Sequence, residues 1–117
     1  MSEQPNKRRF ARLDVSIKVE GHWWDIEGGR RKLNALMVAV SEGGVQLRCA
    51  EPVPANARVE FSVKLGALRK FDVRGVVRWW RRAGEVRDLG VEFEEPIRRV
   101  GQFVEKELAS GEGGAAA

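Results

Sequence analysis

The sequence has little of the chemistry that catalytic and metal sites need. It contains one cysteine, Cys49, and one histidine, His22. A single cysteine cannot form a disulfide within the chain, and a lone histidine without a second histidine or a cysteine beside it excludes a zinc site. The same scarcity argues against a serine or cysteine triad. Carboxylates are plentiful, but they fall mostly on outward positions of predicted strands, so we expect neither an enzyme nor a metal or cofactor site.

Long apolar runs are also missing. No stretch approaches the roughly 20 apolar residues of a membrane-spanning helix, and the segment from Met1 to Pro5 has no apolar signal core. We therefore expect no membrane insertion and a location in the reducing cytoplasm. Cys49 alternates with Val45 and Leu47 as the small inward residue of a strand, which favours a core position over a nucleophile.

What the chain does have is a mildly basic composition in a single-domain length. Lysine and arginine number 21 against 17 aspartate and glutamate, a net charge of +4 over 117 residues. This balance favours anionic partners without naming them. The composition predicts a flexible basic arm over residues 1–12, one folded unit over 13–109 and a flexible tail over 110–117.

Apolar and polar residues alternate through much of the chain, as is typical of half-buried strands. The clearest apolar series are Leu13, Val15, Ile17 and Val19; Val59, Phe61, Val63 and Leu65; and Leu89, Val91 and Phe93. Near residues 33–40 the same alternation places Leu36, Val38 and Val40 inward and Ala39 outward. In the series that includes Val77, it places Trp79 inward.

After Pro96 the spacing becomes helical, with Ile97, Val100, Val104 and Leu108 on one face. About six short strands and one closing helix predict an all-β fold, a six-stranded antiparallel barrel capped by a C-terminal helix. No βαβ unit is present, which argues against a parallel nucleotide-binding sheet. A small basic barrel of this kind could bind a nucleotide, a single-stranded nucleic acid or a protein.

Two short motifs narrow the choice. Arg8 and Arg12 form an RxxxR pattern in the basic arm, with Arg9 and Phe10 between them. The segment Ser41–Gly44, Ser-Glu-Gly-Gly, is a polar glycine-rich turn after the second predicted strand. Arginine forks suit phosphate oxygens and guanine edges, and glycines let backbone N–H groups approach a ligand closely.

With these motifs in this order, the chain from about Lys7 to Leu108 resembles a PilZ domain, the bacterial module that binds cyclic di-GMP. The resemblance implies a ligand site built from Arg8, Arg9, Arg12, Ser41, Gly43 and Gly44. It also implies Asp or Asn at position 39, where a side chain would hydrogen-bond a guanine edge, but this chain has Ala39. Loss of one such bond predicts binding weakened about tenfold.

The resemblance further implies a domain that acts by contacting an effector protein. Trp80 between Arg78 and Arg81 predicts a docking patch, because tryptophan and arginine are enriched at interfaces. The leading function is therefore a cyclic di-GMP receptor and adaptor with weakened affinity. The alternative is a ligand-independent adaptor that has lost the nucleotide. A nucleic-acid-binding barrel, in which exposed tryptophans stack on bases, ranks third.

Overall fold

The computed structural model describes residues 10–66 and 70–116. Its elements are β1 (Arg12–Trp24), β2 (Arg30–Ser41), β3 (Gly44–Cys49), β4 (Arg58–Val63), β5 (Phe71–Ala83), β6 (Val86–Phe93) and α1 (Arg98–Ala116). The strands pair antiparallel and close in the order β1-β2-β3-β6-β5-β4. The predicted six-stranded antiparallel barrel with a C-terminal helix is confirmed.

The alternating series predicted to point inward form the core in β4 and β6. Val59, Phe61 and Val63 are buried, whereas Arg58 and Lys64 are exposed. Burying one such apolar side chain stabilises the fold by about 1.5–3 kcal/mol. Binary patterning alone was therefore enough to assign the two faces of a strand that runs without interruption.

In β2 the inward face was predicted one residue out of phase. Met37 is fully buried, whereas Leu36 and Val38 are only half-buried. The reason is a β-bulge between Met37 and Ala39 where β2 pairs with β3, because the extra residue resets the alternation. Val40 then returns to the interior, as predicted. Both phases of this strand are apolar, so the sequence pattern could not show the shift.

The prediction that Trp79 belongs to the core was wrong. Its side chain is 42% exposed. A second bulge, between Val77 and Trp79, moves the tryptophan to the position that pairs with Gly90 on the outer face of β6. The indole lies over that glycine, where an added Cβ would overlap the ring atoms. Because Gly90 has no side chain, the Trp79 ring packs directly on its backbone.

The helix α1 packs against β1 and β2 through Val100 and Val104, which are buried. Phe103 lies over Gly66 at the end of the β4 region. The helix runs to Ala116, past residue 110, and is longer than the composition predicted.

Two smaller expectations concern Cys49 and the membrane. Cys49 is buried in the core and unpaired, as its place in the alternating series predicted. Over the described ranges, no helix combines the length and apolar character needed to cross a bilayer.

Candidate functional site

A cavity of about 450 Å³ opens on the outer face of the barrel. Its walls come from the start of β1, from the end of β2 with the turn into β3, and from β5 and β6. The cavity falls within the size range of small-molecule sites in proteins. Phe10, Arg12, Ser41, Gly43 and Gly44 all line it, so parts of both sequence motifs meet at one place.

The turn between β2 and β3 forms one wall of the cavity. The Gly43 N–H donates to Ser41 Oγ at 3.2 Å, and Ser41 Oγ lies 3.4 Å from the Gly44 carbonyl oxygen, to which it donates. An added Cβ on Gly43 would come within 2.8 Å of the Phe10 ring, and one on Gly44 would overlap the Val91 carbonyl oxygen. The turn therefore requires glycine at position 44, where backbone approaches, whereas at position 43 the neighbour is a side chain that can rotate.

Glu42 ties this turn to the helix α1, a connection that the sequence did not reveal. Its carbonyl oxygen accepts a hydrogen bond from the Ile97 N–H at 2.9 Å. Its side chain lies so close to Gly101 that an added Cβ there would overlap the carboxylate. On the other side, the Gly43 carbonyl accepts from the Phe93 N–H at 2.9 Å. The turn is therefore held from both sides.

Arg12 stands at the first position of β1, paired with Ser41 on β2. This register brings the second arginine of RxxxR beside the turn. Its Nη2 donates to Gln46 Oε1 at 3.1 Å. Arg8 and Arg9, the other predicted cations of the site, lie outside the described residues.

A buried carboxylate anchors the polar groups beside the cavity. Asp88 is 2% exposed and accepts two hydrogen bonds from Arg48, at 2.8 Å and 3.2 Å, and one from Gln46 Nε2 at 3.4 Å. Arg81 Nη2 lies 3.8 Å from the same carboxylate. The Arg48 hydrogen bonds hold the pKa of Asp88 below its ordinary value, and Asp88 in turn raises the pKa of Arg48. Asp88 therefore stays ionised and fixes its donors.

The opposite wall combines an aromatic ring with cations. Trp79 and Arg78 both line the cavity. Arg78 Nε donates to Glu92 Oε1 at 2.7 Å, and the Arg81 guanidinium carbon lies 5.5 Å from the centroid of the Trp79 ring. An exposed indole between guanidinium groups can stack on a purine while the cations contact phosphate.

The structure divides the predicted docking patch. Arg78 lines the cavity and Arg81 lies beside it, over the Trp79 ring. Trp80 instead is the register partner of Leu89 on the neighbouring strand β6. Trp80 is 40% exposed, and the guanidinium of Arg87 lies 3.7 Å from its ring centroid. The partner of Trp80 in the fold is therefore Arg87 rather than the two arginines that flank it in sequence.

Ala39 stands between Asp14 on β1 and Gln46 on β3 and lines the cavity. It faces outward, as the sequence predicted, yet its small side chain is only 3% exposed. A methyl group at this position offers a ligand no hydrogen bond.

Gln46, Trp79 and Asp88 help to build this site and were not predicted. Gln46 and Asp88 stand on outward positions of β3 and β6, where polar residues ordinarily meet solvent. Trp79 was assigned to the core because the bulge before it was invisible. Only the strand register brings the three together, so a single sequence carried no direct signal for them.

The comparisons with known proteins agree with this architecture. Residues 6–106 match the family described as PilZ domain. A solved structure, the Bacillus subtilis inhibitor of motility MotI/DgrA, has a TM-score of 0.71 and 17% identity, covering 89% of this chain and 52% of that chain. This chain thus spans about half the length of that neighbour, and the likeness concerns the fold. No curated protein matches. The family match spans most of the barrel and the helix, and the chain belongs to the PilZ family.

Proposed function

We propose that this PilZ domain is a cyclic di-GMP receptor that signals in the cytoplasm through contact with a partner protein. One observation carries the proposal: Arg12 and the Ser41–Gly44 turn line the same cavity although about thirty positions separate them in the chain. Membership of the PilZ family supports the choice of ligand.

The chemistry of the cavity suits this ligand. Cyclic di-GMP is a dianion with two purine rings, so it needs cations for its phosphates and flat surfaces for its bases. Arg12 and Arg78 offer guanidinium groups that bind phosphate in a bidentate manner, and Trp79 offers an exposed ring. Arg8 and Arg9, five residues or fewer before β1, are assigned as further phosphate or base contacts in this proposal.

In this proposal the basic arm carries the signal. Phe10, the first described residue, lies against Gly43 and lines the cavity. A ligand that draws the arm over the cavity changes the surface next to Trp79. An effector protein reads that changed surface, and Trp80 with Arg87 provides a second exposed aromatic–cation pair for docking.

A titration monitored by NMR tests the receptor function, because it detects weak as well as tight binding. We expect wild type to bind cyclic di-GMP and Arg12→Ala to lose measurable binding, since one member of a charge-assisted contact is removed. Arg30→Ala is the matched control. It makes the same change in charge at the opposite end of the β1–β2 hairpin, where Arg30 pairs with Trp24. If Arg12→Ala and Arg30→Ala lose equal affinity, the loss comes from the change in net charge alone, which would contradict the assigned site.

Ala39 favours a second candidate, an adaptor that no longer binds the nucleotide. The methyl group removes a hydrogen-bonding side chain from the cavity and leaves the barrel intact. Ala39→Asn distinguishes the two functions. For a receptor, the variant should bind about tenfold more tightly than wild type. If wild type and Ala39→Asn are both silent at millimolar ligand, the adaptor function stands. If only the variant binds, the site has decayed on an intact scaffold.

A further inference from the structure

The turn between β2 and β3 contacts both the cavity and the helix α1. Among the described residues, Ser41 and Gly43 line the cavity, whereas Glu42 between them does not. Glu42 instead contacts the segment that begins the helix, because its carbonyl oxygen accepts a hydrogen bond from the Ile97 N–H at 2.9 Å. Neighbouring residues of one short turn therefore meet the cavity and the helix.

The side chain of Glu42 fits against α1 only because residue 101 is glycine. An added Cβ at Gly101 would overlap the carboxylate and would lie 2.8 Å from Cδ and 2.9 Å from Cβ of Glu42. Glycine inside a helix is less favourable than alanine, because it loses more conformational freedom on folding. Gly101 is thus unfavourable for the helix by itself, and the space that it leaves is filled by the side chain of the turn.

The charge of Glu42 also suits this position. The first four residues of α1 are Arg-Arg-Val-Gly, which include two cations and no acid. The amino end of a helix carries a partial positive charge, so cations there are unfavourable and a carboxylate is favourable. The turn therefore supplies the negative charge that the first turn of α1 does not contain.

The helix is anchored on the strands that carry the site. It packs against β1 and β2, which bring Arg12 and Ser41 to the cavity. Val100 and Val104, one residue before and three residues after Gly101, are buried in the core. Because these valines fix the helix, Gly101 cannot move away from Glu42 unless the core moves with it. A shift of α1 at this point would therefore displace the turn.

We propose that Glu42 and Gly101 couple the docking of α1 to the affinity of the cavity for its ligand, an inference that rests on the proposed function as a cyclic di-GMP site. Both are positioning residues, because they hold the turn and are not among the described residues of the lining. A site that is already ordered binds more tightly than one that the ligand must order. The coupling is reciprocal, so a bound ligand also strengthens the docking of α1.

Gly101→Ala tests the coupling, with Gln102→Ala as the matched control. Both changes place alanine in α1, but Gln102 is exposed and lies outside the described lining of the cavity. In an NMR titration with cyclic di-GMP, Gly101→Ala should bind about tenfold more weakly, because the added Cβ displaces Glu42 and the turn. Gln102→Ala should match wild type. In a Glu42→Ala background the Gly101→Ala change should cost little further affinity, because the overlapping carboxylate is gone.

Hydrogen exchange provides a readout that a purely structural role would not move. In wild type, saturating cyclic di-GMP should slow exchange at the Ile97 and Gly101 N–H groups about fivefold relative to the amides of β4, a strand outside the described lining. In Glu42→Ala the ligand should still shift the Trp79 indole signal, while the slowing in α1 is lost. Equal slowing in α1 and β4 would mean that the ligand stabilises the whole barrel, and would overturn the proposal.

The remaining outcomes separate this inference from the function on which it rests. If wild type binds cyclic di-GMP and Gly101→Ala binds it equally well, the receptor function stands and the coupling is refuted. If Gly101→Ala does not fold, Glu42→Ala decides instead: wild-type affinity together with a wild-type response of α1 would refute the coupling. If wild type binds no ligand at millimolar concentration, the receptor function fails, and the coupling to it fails as well.

Discussion

The two faces of the β3–β6 strand pair differ in composition although they share one backbone: the inward face is mainly apolar, and the outward face carries polar residues and glycines. The inward face includes Val45, Leu47, Cys49, Leu89, Val91 and Phe93, all buried. The outward face consists of Gly44, Gln46, Arg48, Asp88, Gly90 and Glu92. A step of one residue along either strand moves from the core to the surroundings of the cavity.

The difference lies in what each face requires of its side chains. The interior needs apolar volume, and several aliphatic residues would fill it about equally well. The outer face depends on single atoms: the missing Cβ of Gly44 admits the Val91 carbonyl, and the missing Cβ of Gly90 admits the Trp79 ring. Substitutions inside should therefore act on stability through volume, and those outside through individual contacts.

The largest effect on stability is expected for Leu47→Ala inside the barrel. Leu47 is fully buried. Its truncation leaves a cavity and should lower the free energy of unfolding by about 2–5 kcal/mol, measured by urea denaturation. Leu47→Met, which nearly conserves volume, should cost less than about 1.5 kcal/mol. A loss below 1 kcal/mol for the alanine variant would show that the interior is less tightly packed than its burial indicates.

A smaller loss of stability, caused by a single atomic overlap, is expected for Gly44→Ala on the outer face. The added Cβ overlaps the Val91 carbonyl oxygen, and backbone atoms in a paired strand cannot move aside, so we expect a loss of about 1–3 kcal/mol. Gly43→Ala is the comparison, because there the added carbon meets the Phe10 side chain, which can rotate. If both variants lose equal stability in urea denaturation, the distinction between backbone and side-chain contact fails.

Asp88→Asn tests the anchor of the polar network, with an expected loss of about 1 kcal/mol at pH 7. The pKa of Asp88 is depressed in the folded state by its Arg48 hydrogen bonds, so its contribution is fully present above the unfolded pKa, about 3.9. It is lost as the pH falls through the folded pKa. The stability gap between wild type and variant should therefore narrow below about pH 4.

The exposed carboxylate Glu94 offers the control for that series. Glu94→Gln should change stability by less than about 0.5 kcal/mol at pH 7, since surface substitutions ordinarily do. A gap between Asp88→Asn and wild type that stays constant from pH 7 to pH 3 would mean that the ionised carboxylate is not what stabilises the network.

In the folded protein, the Cys49 thiol is expected not to react with a disulfide reagent, which is the smallest of these effects. Burial raises the pKa of this thiol to about 11, so little thiolate forms at pH 8. A disulfide reagent should leave the folded protein unlabelled and modify it fully in urea. Rapid labelling of the folded protein would show that the inward face of β3 opens readily, which would remove the contrast between the two faces.

Much of the barrel could be predicted because its strands repeat with a period of two. The alternation in β4 and β6 indicates which side chains are buried, and the change of period after Pro96 indicates a helix. The prediction failed at Leu36, Val38 and Trp79, next to the bulges in β2 and β5. A bulge depends on how two paired strands accommodate one extra residue, and neither strand shows it alone.

The sequence by itself determined the fold class, the faces of the regular strands and the two motifs that resemble a PilZ domain, because each depends on neighbours in the chain. The tertiary structure alone decided that Gln46 stands between Ala39 and Gly90, and that Asp88 holds Arg48 beside the cavity. The physical reason is register. Hydrogen bonding between strands sets which residues meet, and those residues lie up to about forty positions apart in the sequence.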